Sequence, residues 1–498
     1  MEIVATFVPA SGRRPADELK HPPAGATTVE LRADLLGPDL DLASLVSTSP
    51  LPVIVTLRSR REGGEGPDDP AARRRFFERA AMLSAVLFDL EAARDLDLVD
   101  AVVPAERVIL SAHFPDGVPA DMEDRAAAML AGRTRFIKLI PAAATLADVM
   151  AVLRLAQAVD RGSRANRRAI VFATGEAGRA TRLLGALFGA PLAYASWAPD
   201  RPGAAGQYDP EELLALTGHL SGRPRRLFAV LKSQAGRSLS PRMHAAAYRA
   251  VGLANLFVPL TVDEEAELDP LVRPAGESCL DDLGLTVGGF AVTMPWKGAA
   301  SRRCTMLAPR AQRAEAVNTV LPRAGKVLGD CTDIDGITRV LAEEGVDLAG
   351  SRALVLGAGG AARAAVVALQ LAGAEVALAA RNDARADEVA ARLGATAVDL
   401  DASAGVSVVV NATPAGGDGA PSPWLEALRL PRGAVVVDMP YGPPRTFLEN
   451  LAESRGWRFV GGREVLLYQA VSQFAAMTGV APPVRAMAGA IGLDGVQG

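Results

Sequence analysis

The sequence predicts an α/β protein: an N-terminal (β/α)8, or TIM, barrel followed by a second α/β region with a Rossmann-type turn. Three observations support this. A chain of 498 residues exceeds one ordinary hydrophobic core, so two or three domains are expected. Short apolar runs rich in β-branched residues recur through the first ~220 residues. Further on, Ala353-Leu354-Val355-Leu356 feeds the turn Gly357-Ala358-Gly359-Gly360, and an alanine-rich segment of helical composition follows.

The runs fall at 3–8, 28–31, 53–57, 86–90, 108–111, 136–140, 169–173 and 192–196. Most are separated by Ala-, Leu- and Arg-rich segments of helical composition, as at 69–83, 120–131 and 146–160; the first connection is the least helical. Strands alternating with helices at this spacing imply a parallel barrel, whose chemistry sits at the C-terminal strand ends. Polar residues there are the ones to examine. Lys138 lies inside the sixth run, where both faces are buried, so it is either ion-paired or used. Desolvation favours the neutral amine that attacks a carbonyl. His113 follows the fifth run at the same rim, within reach for acid–base work. Glu30 and Arg32 end the second run, and Arg58 ends the third. Glu62 follows in a glycine-containing loop that can close over a site.

Bulk properties exclude several classes. A net charge of -4 offers no field for nucleic acid. The basic run Arg73-Arg74-Arg75 reads as a solvated helix face. The three cysteines are far apart and the four histidines form no HxxxH pair, so no metal site is expected. No run of about twenty apolar residues predicts a membrane span. The N-terminus lacks a secretory start, which predicts a reducing, cytoplasmic setting.

Residues 1–220 resemble type I 3-dehydroquinate dehydratase. The resemblance lies in Val29-Glu30-Leu31-Arg32, Thr56-Leu57-Arg58 with Glu62-Gly63-Gly64, the histidine and lysine above, Thr174 to Arg182, Phe188-Gly189-Ala190 and Gly206-Gln207. It implies that Lys138 forms a Schiff base with 3-dehydroquinate. His113 would move the C2 proton and protonate the departing hydroxyl, and Glu62 would tune His113. Arg182 would hold the substrate carboxylate, while Glu30, Arg32, Arg58 and Gln207 bind hydroxyls and shape the pocket. Two positions depart. Thr181 stands where serine is common. Gly203 replaces the usual Ser or Thr four residues before the glutamine, removing a lid hydrogen bond of about 1 kcal/mol.

A short polar linker, Ser221 to Arg226, leads into the second region. In Ser238-Leu239-Ser240-Pro241, the serines suit a helix cap with hydroxyls to spare. Lys297 ends a strand, and Lys297 with Asp333 suits a proton-transfer unit; a surface lysine and a capping aspartate have the same sequence. In the glycine turn, Gly357 permits the bend and Gly359 lets a pyrophosphate approach, while Gly360 and Ala361 begin a helix whose N–H groups face the phosphates. A ligand-free βα turn can look alike, so the neighbouring motifs decide.

Those motifs resemble shikimate dehydrogenase over roughly 226–498. They include Asn318-Thr319, Asp330 to Gly336, Asn411-Ala412-Thr413-Pro414, Val437 to Pro443 and Leu467 to Phe474. The resemblance implies a two-lobed unit, with a substrate lobe at 226–340 completed by 469–498 and a Rossmann NADP-binding lobe at 341–468; the barrel would occupy 1–222. Ser238, Ser240, Thr293 and Tyr441 would bind the substrate carboxylate, and Asn318, Asp333 and Gln469 the ring hydroxyls. Lys297 would handle the proton while nicotinamide hydride reduces the C3 ketone. Asn411 and Thr413 would join the glycine turn at the cofactor. Arg381 and Arg385 stand where NAD sites place an acid, and arginines suit the 2′-phosphate of NADP. Three departures accompany this match: Cys331 replaces a common Asn, Ala380-Arg381-Asn382 replaces Asn-Arg-Thr, and the 231–237 loop lacks the usual Gly, Pro and His.

The expected protein is a bifunctional enzyme whose partners are 3-dehydroquinate, 3-dehydroshikimate and shikimate, with no nucleic acid or membrane partner; the oligomeric state stays open. Two alternatives remain: an NAD-dependent quinate or shikimate dehydrogenase, which Arg381 opposes, and a metabolite-sensing regulator, which has no physical need to retain Lys138, His113, Lys297 and Asp333 together.

Overall fold

The computed structural model describes residues 2–36, 41–83, 86–162, 168–234, 238–442, 445–493 and 495–496. Ala235, Gly236, Arg237 and Pro443, singled out above, lie outside them. The chain divides into two compact units, Met1–Pro224 with Val258–Asp263, and Arg225–Phe257 with Glu264–Gly498.

The first unit is built on parallel strands β1 (Glu2–Phe7), β2 (Thr28–Arg32), β3 (Val53–Thr56), β4 (Val86–Glu91), β5 (Val108–Phe114), β6 (Phe136–Pro141), β7 (Ala169–Val171) and β8 (Leu192–Ser196). Their hydrogen-bonded order is 7-6-5-4-3-2-1-8, so each strand pairs with its sequence neighbour and β1 pairs with β8. Among the described residues no ladder joins β7 to β8. There the rings of Phe172 and Tyr194 pack with centroids 6.0 Å apart. Strand β7 stops before Phe172 and Ala173, which the sequence had placed in it, and the Ala173 N–H is taken instead by the Thr181 hydroxyl at 2.8 Å. Val4, Ile54, Ile109 and Ile170 come from alternate strands and form an interior apolar cluster, as a filled barrel requires.

Register places a second, polar level at the strand ends. Thr6 lies beside Glu30, Thr56 beside Asp89, and Ser111 beside Lys138. Strand β5 runs beyond its expected end, so His113 lies within it and pairs with Ile140. Its Ala112-His113-Phe114 end lacks the β-branched density that marked the run, but cross-strand bonds extend it. Strand β3 is shorter than expected: Arg58 lies two residues past its end, and Glu62 closes the one-turn 3-10 helix Arg60–Glu62.

One expectation is overturned here. Arg73 does not belong to a solvated face. In the helix Pro70–Ala80 it shares the buried stripe with Phe77 and Ala80, spaced i, i+4, i+7, and is fully buried. Arg74 pairs with Asp97 at 2.7 Å on the exposed side.

Beyond the barrel strands the chain forms two six-stranded sheets. The first contains β9 (Arg226–Lys232), β10 (Asn255–Thr261), β11 (Val287–Val292), β12 (Met306–Leu307), β13 (Thr319–Arg323) and β14 (Lys326–Asp330), ordered 10-9-11-13-14-12 with β13 antiparallel to its neighbours. The second contains β15 (Arg352–Leu356), β16 (Glu375–Ala379), β17 (Thr396–Ala397), β18 (Val408–Asn411), β19 (Val435–Asp438) and β20 (Arg458–Val460), all parallel and ordered 17-16-15-18-19-20. The order of strand addition reverses between β15 and β18, and ligands bind outside the carboxyl ends at such a switch point. The long helix Gly462–Thr478 leaves this sheet and packs on the helices Asp333–Glu343 and Ser240–Ala250. The expected lobe boundary at 468/469 falls inside it.

Candidate active sites

In the barrel, a cavity of about 300 Å³ opens at the C-terminal strand ends. All eight residues expected there line it: Lys138, His113, Glu62, Glu30, Arg32, Arg58, Arg182 and Gln207. Lys138 is buried, with Nζ 2.5 Å from Asp89 Oδ2, 3.6 Å from Glu30 Oε1 and 4.3 Å above the Tyr194 ring. Desolvation is therefore only half of its environment; an anion faces it. Arg58 donates to Asp89 at 2.7 Å, to Glu91 and Ser111 at 3.1 Å, and to Glu62 at 3.2 Å. These two cations hold the Asp89 carboxyl well below the usual carboxylate range despite its burial.

Glu62 Oε2 accepts the backbone N–H of His113 at 3.0 Å and lies 3.1 Å from its Nδ1. A charged Glu62 therefore fixes the Nδ1–H tautomer and leaves the Nε2 lone pair as the free base. Burial raises the Glu62 carboxyl to about 7, with Arg58 opposing and Glu91 reinforcing the shift. His113 is pushed well below its ordinary value by burial and by Arg58 and Lys138. The two shifts run in opposite directions.

Arg182 is buried, and burial lowers its guanidinium to about 9. It lies 4.4 Å from the Phe172 ring, makes two 3.5 Å contacts to backbone carbonyls, and its Nε has no hydrogen-bond partner. A buried cation with an open donor edge fits a carboxylate. Arg32 is oriented by a bidentate pair with Asp34 at 2.9 and 2.7 Å.

The Gly203 position is sharper than a missing hydroxyl. A Cβ there would stand 2.4 Å from Thr6 Cγ2. Thr6 cannot swing away cheaply, because its hydroxyl donates to Glu30 at 2.8 Å and accepts from Gln207 at 3.3 Å. The β1 threonine fills the place of a side chain at 203 and supplies a hydroxyl at the cavity. Thr181 is taken up locally, donating to Gly178 O at 2.6 Å.

Sequence reasoning missed Asp89, Glu91, Ser111, Arg94 and Tyr194. Asp89 and Glu91 were findable: two acids alternating in a buried parallel strand are as costly as one lysine. Arg94, in a loop, gave no signal; it reaches Glu62 and Glu91 at 3.2 and 3.3 Å.

In the second unit a cavity of about 630 Å³ is lined by Ser238, Ser240, Thr293, Lys297, Asn318 and Asp333, and by Ala361, Thr413, Tyr441 and Gln469. Lys297 Nζ donates to Asp333 Oδ2, forming a buried ion pair. Tyr441 bonds the Ser238 side chain and the Leu239 backbone, and burial raises its hydroxyl. Asn318 donates to Gln469 at 3.1 Å and accepts from Thr332 N–H at 2.8 Å. Gln473, which the sequence reading missed, donates to Asn318 O and Thr319 Oγ1 at 3.0 and 2.9 Å, and lies 3.3 Å from His244 Nε2. His244 is stacked on Phe257 at 4.2 Å, and burial pushes it down to about 3, so it is a neutral support. Cys331 is buried beside this cluster, and burial raises its thiol.

The expected cofactor residues divide. Gly357 takes φ +113°, its N–H bonds Ala379 O at 2.8 Å, and a Cβ there would meet Thr413 Cγ2 at 3.0 Å. Gly359, the cap of the helix Gly360–Leu371, has nothing within 4 Å of a Cβ position, so a phosphate has room to approach. A Cβ added at Gly360 would stand 3.0 Å from the Lys297 Cβ. Arg381 is exposed just past β16. Arg385 lies on a separate hollow of about 130 Å³ with Arg363, Glu388 and Arg392. Asn411 does not face the cavity: fully buried, it donates to Asp438 at 2.8 Å and accepts from the Thr413 hydroxyl at 2.7 Å. It shapes the loop that presents Thr413. The open turn, the free helix N-terminus and the exposed arginine together fit a phosphorylated dinucleotide.

Fold and sites define a two-centre α/β enzyme, with a buried lysine in a barrel and a lysine–aspartate pair beside a dinucleotide turn. Comparison with known proteins gives the family. The type I 3-dehydroquinase model matches residues 8–222, the shikimate dehydrogenase substrate-binding domain 230–320, and the shikimate 5′-dehydrogenase C-terminal domain 462–491. The chloroplastic bifunctional 3-dehydroquinate dehydratase/shikimate dehydrogenase of Arabidopsis thaliana is 29% identical over 92% of this chain and 79% of its own. A shikimate dehydrogenase (NADP(+)) of Halobacterium salinarum is 38% identical over 53% of this chain and 98% of its own. The crystal structure of shikimate 5-dehydrogenase from Thermus thermophilus with NADP(H) and shikimate is 36% identical, covers 53% of this chain and 98% of that one, and has a TM-score of 0.48. The chain belongs to the bifunctional 3-dehydroquinate dehydratase/shikimate dehydrogenase family.

Proposed function

We propose that the barrel dehydrates 3-dehydroquinate through a Schiff base on Lys138, and that the second unit reduces the resulting 3-dehydroshikimate to shikimate. The observation that supports this best is the Lys138–Asp89 pair facing the Glu62–His113 pair across one cavity. Lys138, held in place by the Asp89 charge, passes its ammonium proton to His113 Nε2 and attacks the ketone carbon. After proton transfer from nitrogen to oxygen, the former ketone oxygen leaves as water with the proton that His113 returns, giving the iminium. The iminium then withdraws electrons from the adjacent carbon. His113 Nε2 takes the C2 proton and returns it to the departing hydroxyl, which leaves as water; a second water then hydrolyses the iminium, restoring the product ketone and the free Lys138 amine. The open edge of Arg182 binds the substrate carboxylate, and Thr6, Glu30, Arg32 and Gln207 take the hydroxyls.

In the second unit, Ser238, Ser240, Thr293 and Tyr441 bind the carboxylate, and Asn318 and Gln469 the ring hydroxyls. Lys297, held by Asp333, delivers the proton to the ketone oxygen. NADPH, when bound, supplies the hydride. Gly357 to Ala361 and Thr413 seat it, and Arg381 and Arg385 favour the 2′-phosphate over a plain ribose. The functional division we infer is 1–222, 226–340 with 469–498, and 341–468. The three free thiols suit a reducing, cytoplasmic setting. No described helix is long and apolar enough to cross a membrane. Assaying both steps on one preparation tests the reading. Formation of 3-dehydroshikimate without NADPH, and of shikimate only with it, supports both centres; absence of either product removes that centre.

A further inference from the structure

Arg73 is a buried charge that neither catalytic scheme uses. Its Nε and Nη2 bind the two Asp95 oxygens at 2.8 and 2.5 Å, its Nη1 donates to Pro67 O at 3.2 Å, and Nη2 stands 3.6 Å from Glu91 Oε2. Asp95 accepts the Glu91 backbone N–H at 2.8 Å. The other Glu91 oxygen accepts from Arg58 at 3.1 Å and from Ser59 N–H at 2.8 Å. The same Arg58 nitrogen reaches Glu62, which holds His113. Arg73 therefore grips both the acid behind Arg58 and, through Pro67, the loop that carries Glu62. Apolar residues often replace a buried ion pair at no loss of stability, so packing alone does not account for this arginine.

We propose that Arg73 is a positioning residue of the barrel's centre: by fixing Glu91 and the Glu62 loop, it sets the charge that the Glu62–His113 pair experiences. This rests on the dehydratase reading above. Arg58, Arg94 and His113 face Glu62 directly, and Asp68 reaches Arg94 at 3.6 Å. The Asp89 and Glu91 charges bear on Glu62, and those of Lys138, Asp89 and Arg32 on His113. Removing Arg73 leaves Glu91 less neutralised, so Glu62 and His113 keep their protons to higher pH. Neutralising Asp95 frees the charge of Arg73 towards Glu91 and does the reverse.

The test uses the full chain with Arg73→Met and Asp95→Asn, reading dehydration and shikimate oxidation on the same preparations. Arg73→Met is expected to lower the dehydration kcat roughly tenfold. It should also raise the acid limb of kcat/KM by about one pH unit, and Asp95→Asn should lower that limb. The dehydrogenase rate stays unchanged in both. A limb that stays in place, or moves the same way in both variants, overturns the proposal, because a merely structural pair changes the amount of folded barrel and not its pH dependence. Where one variant does not fold, the direction in the other decides. Wild-type protein that forms no 3-dehydroshikimate would instead overturn the dehydratase reading.

Discussion

Lys138, Glu62 and Gly203 each have a measurable consequence. Lys138→Ala removes the nucleophile and should lower dehydration at least about a thousandfold while leaving shikimate oxidation intact; equal loss of both activities would contradict that. Burial raises Glu62 to about 7, so as pH falls through 7 it gains a proton and ceases to fix the His113 tautomer. The kcat/KM of dehydration should therefore fall on the acid side near pH 7. Glu62→Gln should abolish that limb at a lower plateau, because His113 itself titrates well below its ordinary value. An unmoved limb in the Gln variant would assign it elsewhere. Gly203→Ser must push against Thr6 and should cost about 1–3 kcal/mol in stability or binding. Adding Thr6→Ser, which removes Cγ2, should recover most of that; if it does not, the 2.4 Å approach is not the reason for glycine. Residue types in buried strands were the legible part of this scale, and Lys138 was found that way. The same rule applied to β4 would have found Asp89 and Glu91. Arg73 was misread because a run of like charges looks solvated, although its i, i+4 relation to Phe77 pointed inward.

At the scale of elements, the barrel strands were legible because β-branched runs alternate with helical segments. Their ends were less so. Strand β5 reaches Phe114 through cross-strand bonding that composition does not encode, and β7 stops at Val171 because Ala173 N–H finds the Thr181 hydroxyl. The glycine turn was legible as a unit, but not the different tasks of its neighbours. Asn411 is a loop brace under Thr413, and Arg381 is the exposed group after β16. Arg381→Ala with Arg385→Ala should raise the KM for NADPH by roughly ten- to a hundredfold and leave that for NADH nearly unchanged. An equal rise for both cofactors would show that the turn does not read the 2′-phosphate.

For the whole molecule, two catalytic centres on one chain should be separable by single substitutions. Lys297→Ala should lower reduction by about two to four orders of magnitude and spare dehydration. Mixing it with Lys138→Ala should restore NADPH-dependent conversion of 3-dehydroquinate to shikimate. The order of the two halves was legible because the eight runs and the glycine turn lie in separate stretches of sequence; the two-sheet architecture of the second was carried by the resemblance alone. The most direct measurement is borohydride trapping of the full chain with 3-dehydroquinate, followed by peptide mass analysis. A substrate-sized adduct on the Lys138 peptide, absent from Lys138→Ala, is the predicted result. Continued production of 3-dehydroshikimate with no adduct on that peptide would contradict Schiff-base chemistry at Lys138.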